Sequence, residues 1–222
     1  MRCGSVERKT LETEIFAELN LDGSGICQVN TGIGFFDHML TLLAKHSFSD
    51  LTLKAVGDLD VDSHHTVEDC GIVLGQALKE AVGDKAGIHR YGNCFLPMDE
   101  ALVQVVMDFS GRPYLVFDAD IPKVQLGIYE AEMTEEFFRA LAMNAGITLH
   151  IRVLYGKNTH HIIEAIFKGF ARALAEAVAF DSRVQGVMSS KGLLHFGGRE
   201  EGIGFCQAGM QEPPHGAWHT DV

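Results

Sequence analysis

The chain has 222 residues, 46% of them hydrophobic and 22% charged, with a formal net charge of −12 at pH 7. That length builds one large domain or two small ones around a real core, no apolar run is long enough to span a bilayer, and an acidic chain without a basic run is a poor binder of phosphate backbones. The 5 cysteines, Cys3, Cys27, Cys70, Cys94 and Cys206, lack C-x-x-C spacing and read as free thiols, while the opening MRCGSVERKTLETEIF has no uninterrupted apolar stretch of the secretory kind, so the chain is expected in the cytoplasm.

In chain order, ETEIFAELNL alternates as a strand, and FFDHMLTLLAKH has the apolar spacing of a helix. From Leu51, LTLKAV is a strand, a polar turn follows, and an amphipathic helix begins near DSHH with Ile72, Leu74, Leu78 and Val82 on its apolar side. ALVQVVMDF and PYLVFDADI are strands and TEEFFRALAMNAG a helix. From Ile147, ITLHIRVLY is a strand leading to a helix at NTHH, with Ile163, Ile166, Phe167, Phe170 and Leu174 on one face. Ser63 and Thr159 are the expected N-caps, and Gly83 the expected end of the first long helix. The segment from His195 to Val222 is rich in Gly, Pro and Gln without periodicity, and is expected to be a loosely held, flexible extension.

The two stretches starting at Leu51 and Ile147 match step for step: strand, turn, [ST]-H-H-x-x-E, amphipathic helix. Each is preceded by a further helix and by strands. The expected class is α+β with antiparallel sheets and an internal pseudo-twofold. The expected units are 1–94 and 95–194, sharing one core because a half of about 90 residues gains by packing its helix faces against its twin.

Within HHxxE, positions four apart share a helix face, so His64 with Glu68, and His160 with Glu164, can grip one ion. His65 and His161 point elsewhere and are available to a second ion or a neighbouring subunit. The duplication, with His38 on the preceding helix, makes two metal centres the reading, each drawing on both repeats. Imidazole and carboxylate without thiolate suit manganese, iron or zinc, and the oxygen share favours a six-coordinate, manganese-like ion. A small anionic ligand would need a local basic pocket in so acidic a chain.

The strings GIGFFDHML, DSHHTVED, GIHRYG, PMDEAL, SGRPYL, NAGITLHI, NTHHIIEA and SSKG, in this order over about residues 8 to 194, make the chain resemble the imidazoleglycerol-phosphate dehydratase family. The resemblance implies two four-stranded sheets with two helices each, the four helices between the sheets, as in the second domain of ribosomal protein S5. It also implies Mn2+, two ions per active site, and 24 subunits with sites between them. The ligands it implies are His38, His64, His65, Glu68, His160, His161 and Glu164. Position 136 is the eighth, and Glu stands there where many relatives have His. His150 is the competitor for that place, with a packing role on its strand as the other reading.

For the phosphorylated substrate the resemblance implies Arg90 and Arg112, helped by Ser189, Ser190, Lys191 and Lys168, since guanidinium forks pair with phosphate oxygens at two points. Met188 stands where Pro is common before Ser-Ser-Lys. Glu12 is the acid/base expected by resemblance, with Glu164 a second proton carrier; Glu14 shares its strand face but does not match. His46 is either a substrate contact or a helix C-terminal histidine. Asp69 is expected to orient a ligand imidazole, and Asp99 and Glu100 to support structure. The implied reaction is removal of water from imidazole glycerol phosphate in histidine biosynthesis. A metal-dependent hydrolase, or a non-catalytic shell glued by histidines, are the readings from other classes.

Overall fold

The computed structural model describes residues 1–192 and 194; the expected extension from His195 onward lies outside them. The first half runs β1 (Cys3–Lys9), β2 (Thr13–Asn20), β3 (Cys27–Asn30), α1 (Gly34–Ser47), β4 (Asp50–Gly57) and α2 (His64–Val82). The second runs β5 (Tyr91–Met98), β6 (Ala101–Asp108), β7 (Tyr114–Asp118), a small ribbon of β8 (Gln125–Leu126) and β9 (Tyr129–Glu130), α3 (Met133–Ala145), β10 (Thr148–Tyr155) and α4 (Thr159–Val178). The two 4-stranded sheets have orders β1-β2-β4-β3 and β5-β6-β10-β7, the same topology twice.

The sheets are mixed, which corrects the antiparallel expectation. β3 pairs with β4, and β7 with β10, in parallel. Helix α1 carries the chain from β3 to β4, and α3 from β7 to β10; such a crossover returns the chain to run in the same direction. The expected join between residues 94 and 95 falls inside β5, whose ladder with β6 starts at Tyr91 opposite Asp108. Periodicity did not reveal β1, β3 or β5: β1 and β3 have few apolar residues, and in β5 Tyr91 and Phe95 are exposed while Cys94, Leu96 and Met98 are only half-buried, so no alternation of apolar and polar residues marks the strand.

Each sheet turns one face inward: Ile15, Ala17 and Leu19 on β2, and Val103, Val105 and Met107 on β6, are all buried. The helices cover these faces and meet in the middle, α1 against α4 and α2 against α3. Phe36, Phe137, Phe138, Phe167 and Phe170 fill that middle, with ring centroids of Phe137 and Phe167 at 5.3 Å and Phe138 and Phe170 at 5.1 Å. On α2, Leu74, Leu78 and Val82 are core residues as the spacing predicts, while Ile72 is only half-buried and Val73 takes the core place. Gly83 ends α2 at φ 62°, where a side chain would be strained.

The duplication extends to backbone approach. A Cβ on Gly4 would lie 2.0 Å from the Ala77 carbonyl oxygen of α2, and one on Gly92 would lie 1.9 Å from that of Ala173 on α4. Glycine at these places lets each first strand press onto its helix.

Candidate active site: histidine and carboxylate clusters at the helix starts

Helix α4 is capped one residue earlier than expected, by Asn158, and at α2 the expected Ser63 holds the N-cap position while the side chain before it, Asp62, supplies the capping bond. Asn158 Oδ1 accepts the N–H groups of His160 (2.9 Å) and His161 (3.4 Å), and Asp62 Oδ1 accepts that of His64 at 2.8 Å. Ser63 itself makes no capping bond; its hydroxyl donates to Glu130 at 2.6 Å. Asp and Asn reach the orphan N–H groups of a first turn at least as well as Ser and Thr, and these caps fix the direction in which each His pair leaves its helix.

At the start of α4 the four-residue spacing brings His160 Nε2 to 3.1 Å from Glu164 Oε2. Helix α1 lies alongside, its entry fixed by Thr31, whose N–H and hydroxyl both donate to Asp37 Oδ1 (2.8 and 2.7 Å). This sets His38 Nε2 3.8 Å from the same Glu164 oxygen. One donor atom from each of His38, His160 and Glu164 lies within 4.8 Å of the others, the only such group of three among the described residues. The edge of Phe35 meets the His160 ring at 5.1 Å between centroids. Two imidazole nitrogens and a carboxylate oxygen converging on one point are a donor set that a divalent first-row ion accepts.

Glu164 is 7% exposed. Burial pushes its carboxyl upward, but Lys168, with Nζ 2.5 Å from Oε1, and His160 outweigh it, and the net shift is below the ordinary carboxylate value. The group is therefore held as an anion, ready to coordinate. His46, half-buried in the last turn of α1, faces this same corner; burial, Lys168 and Arg172 lower its pKa, which keeps the imidazole neutral.

At the start of α2, His64 Nε2 lies 3.7 Å from Glu68 Oε2. His64 and Glu136 line one cleft with Asp120, Lys123 and Glu132. Glu136 is drawn toward Arg139 at 3.7 Å, so this half-site is more open than its twin. The second histidines of each pair are held by carboxylates: His65 Nδ1 lies 2.9 Å from Asp58 Oδ2, and His161 Nδ1 lies 2.7 Å from Glu100 Oε2. Glu12 stands in the β1–β2 turn, exposed, 3.8 Å from His65 Nδ1.

One expectation is corrected here and another extended. Asp69 does not orient an imidazole; it accepts from the Thr13 hydroxyl and from Arg8 Nε (3.2 Å), tying α2 to the first two strands. Glu100 supports structure, as expected, by accepting the Lys157 and Asn158 N–H groups (3.1 and 2.7 Å), but it also orients His161. Asp58 was not singled out in the sequence; its only signal was a place in an acid-rich turn, GDLDVD, that offers several equal candidates. His150 lies exposed on the outer side of the second sheet beside Gln104 and Arg152, and is not among the clustered donors.

A separate cleft is lined by Arg90, Ser110, Arg112, Ser189, Ser190 and Lys191. This is the local basic pocket that an acidic chain needs for an anion. Arg90, at φ 71°, donates through Nε and a terminal nitrogen to the two oxygens of Asp108 (2.6 and 3.0 Å) and through the other nitrogen to the Met188 carbonyl at 2.7 Å. It thus fastens the Ser-Ser-Lys segment to the second sheet. Ser189 Oγ accepts the Lys191 N–H at 3.2 Å and closes that turn. Lys168 does not line this cleft; it belongs to the Glu164 corner.

Two sheets enclosing four helices, with paired His-His-carboxylate clusters at the helix starts and a separate cation-lined cleft, define the class: a duplicated α+β protein with the donor set of a metal-binding site. The model of the family described as imidazoleglycerol-phosphate dehydratase matches residues 31–174. The imidazoleglycerol-phosphate dehydratase of Acetivibrio thermocellus is 63% identical over 189 residues, 85% of this chain and 97% of its own. That of Clostridium acetobutylicum is 60% identical over 193 residues, 87% of this chain and 98% of its own. Among solved structures, the Staphylococcus aureus enzyme superposes with a TM-score of 0.72 at 44% identity, over 81% of this chain and 99% of that one. The Pyrococcus furiosus enzyme, in complex with (S)-C348, gives 0.73 at 39% identity, over 85% of this chain and 100% of that one. The chain belongs to the imidazoleglycerol-phosphate dehydratase family.

Proposed function

We propose that this protein is a hydro-lyase that removes water from imidazole glycerol phosphate, giving imidazole acetol phosphate in histidine biosynthesis. The observation that carries the reading is the meeting of His38, His160 and Glu164, in a chain that also holds a cation-lined cleft and is 63% identical to a dehydratase of this name.

The site residues divide by task. His38, His64, His65, Glu68, Glu136, His160, His161 and Glu164 are the proposed holders of Mn2+, two ions per active site. Bound divalent ions supply positive charge that stabilises an anionic imidazole ring at neutral pH. No carbonyl acidifies the proton that is lost, so the substrate's own ring must provide the electrons that expel the adjacent hydroxyl. Glu12 takes the side-chain proton, yielding an enol that becomes the ketone, and Glu164 is the second proton carrier. Arg112, Ser189, Ser190 and Lys191 hold the phosphate, with Arg90 shaping their cleft. Lys168 keeps Glu164 ionised, and His46, kept neutral, meets substrate from α1.

Within one chain the donors fall into two groups, one at each HHxxE helix, and the phosphate cleft is a third place. This separation supports sites completed between subunits, in an assembly of 24. Among the described residues no helix is long and apolar enough to cross a membrane, and the cytoplasm is the proposed location. The two repeats are proposed to act as one domain with one core.

The test is direct. Chelator-treated protein is incubated with imidazole glycerol phosphate, with and without Mn2+, and imidazole acetol phosphate is followed. Manganese-dependent product is the expected result. Absence of product from metal-loaded, assembled protein would overturn the reading.

A further inference from the structure

The two hairpins that open the halves pair in the same register: Cys3 pairs with Asn20 in the first, and Tyr91 with Asp108 in the second. Counting from these pairs toward each turn places Glu12 and Glu100 at equivalent positions. The second histidines, His65 and His161, are equivalent in the same way at the starts of α2 and α4. Yet the carboxylates are used differently. In the second half the turn residue Glu100 holds His161 Nδ1 at 2.7 Å. In the first half Asp58, the first residue after β4, holds His65 Nδ1 at 2.9 Å, and the turn residue Glu12 stands off at 3.8 Å.

We propose that Asp58 and Glu100 are positioning residues for His65 and His161, and that Asp58, by doing in the first half what Glu100 does in the second, leaves Glu12 uncommitted. A carboxylate on Nδ1 keeps the proton there, turns the ring, and leaves the Nε2 lone pair for a metal ion. This rests on the metal-centre reading above.

Two further observations separate this role from simple structural support. Asp58 Oδ1 is buried and has no hydrogen-bond partner among the described residues. An unpaired buried oxygen costs stability, so its contact with His65 is not explained by a well-satisfied structural network. Glu12, in contrast, is exposed and makes no hydrogen bond through its carboxylate among the described residues. Were Asp58 absent, Glu12 is the nearest anion to the vacated nitrogen. The first half would then come to resemble the second, with its proton carrier tied down.

The roles predict different responses to substitution. At Glu100, one oxygen serves the two backbone N–H groups and the other faces His161. Glu100→Gln keeps an acceptor for the backbone but sets an NH2 against Nδ1, favouring the tautomer whose Nε2 carries the proton and cannot ligate.

The experiment is isothermal titration of Mn2+ into full-length, chelator-treated protein, with thermal unfolding of the metal-free forms alongside. Asp58→Ala and Glu100→Gln should each weaken Mn2+ binding by about 10–100-fold with the metal-free unfolding temperature nearly kept, and Asp58→Glu should restore part of it. Glu12→Gln alone should leave Mn2+ affinity unchanged, whereas adding it to Asp58→Ala should weaken binding further, because the substitute partner is then gone. Unchanged Mn2+ affinity in a folded Asp58→Ala protein, or a double variant no weaker than the single one, would overturn the proposal. Wild-type protein that binds no Mn2+ would overturn the metal reading itself, and is read from the wild-type titration before any variant is compared.

Discussion

Glu12 and Arg112 are the two side chains whose loss should separate chemistry from binding. Glu12 touches the proposed centre only through the 3.8 Å approach to His65, so Glu12→Gln should lower kcat by about 10²–10⁴-fold, the usual worth of a positioned acid or base, with KM and assembly little changed. Steady-state kinetics with a sizing column checks both. Arg112 is exposed in the anion cleft, and the hydrogen bonds that fix it involve its backbone groups. Its substitution by Ala should raise KM for the phosphorylated substrate at least tenfold while moving kcat less, as removal of uniform binding does. Arg90 is a poorer probe, because its pairs with Asp108 and the Met188 carbonyl make it a structural tie as well.

At this scale the sequence was informative about residue types and silent about partners. The four-residue spacing of His160 and Glu164, and of His64 and Glu68, dictates their shared helix face, and both pairs meet as the spacing predicts. Which carboxylate turns His65 could not be read: Asp58, Asp60 and Asp62 sit together in one loop. Only the loop's path selects Asp58 for the ring and Asp62 for the helix cap.

Among elements, α4 carries the most complete half-site, and its start depends on Asn158. Asn158→Ala removes the acceptor for two N–H groups and should cost about 1 kcal/mol, seen as a lower urea midpoint of the metal-free protein. The second elemental constraint is the pressing of β5 onto α4 at Gly92. Gly92→Ala would set a methyl 1.9 Å from the Ala173 carbonyl oxygen, a backbone atom that cannot rotate away. Overpacking of this kind costs about 1–3 kcal/mol, and because α4 carries His160 and Glu164, the same variant should bind Mn2+ less tightly. Strong amphipathic periodicity made all four helices legible. The parallel edge strands β3 and β7 escaped their proper place because a short half-buried strand does not announce which neighbour it will join.

For the molecule as a whole, acid should loosen the fold before it alters the core. Asp50 has its carboxyl held below the ordinary 3.8 by the N–H groups of Ser24 and Ile26, and Asp22 by the guanidinium of Arg2. In each case the unfolded chain binds the proton more readily. These groups therefore contribute stability above pH 3.8, and lose it as pH falls through their lower folded values. The urea midpoint should drop as pH is lowered from about 5 to 3, and Asp50→Asn should flatten that slope. Both pairs anchor the first sheet's connections, Asp50 holding the loop into β3 and Asp22 the start of β1, so loosening should begin there.

Local periodicity and repetition encode four helices, the inward faces of the central strands, the duplication, and the residue types of the HHxxE pairs. These follow from residue spacing along one chain. Contacts between segments far apart in sequence came from the packing of the whole chain: His38 against Glu164, His161 with Glu100, and Arg90 with the Ser-Ser-Lys turn. The path of one loop chose Asp58 for His65. Side chains four residues apart on a helix must be neighbours. Side chains a hundred apart become neighbours only when packing of the whole core brings them together.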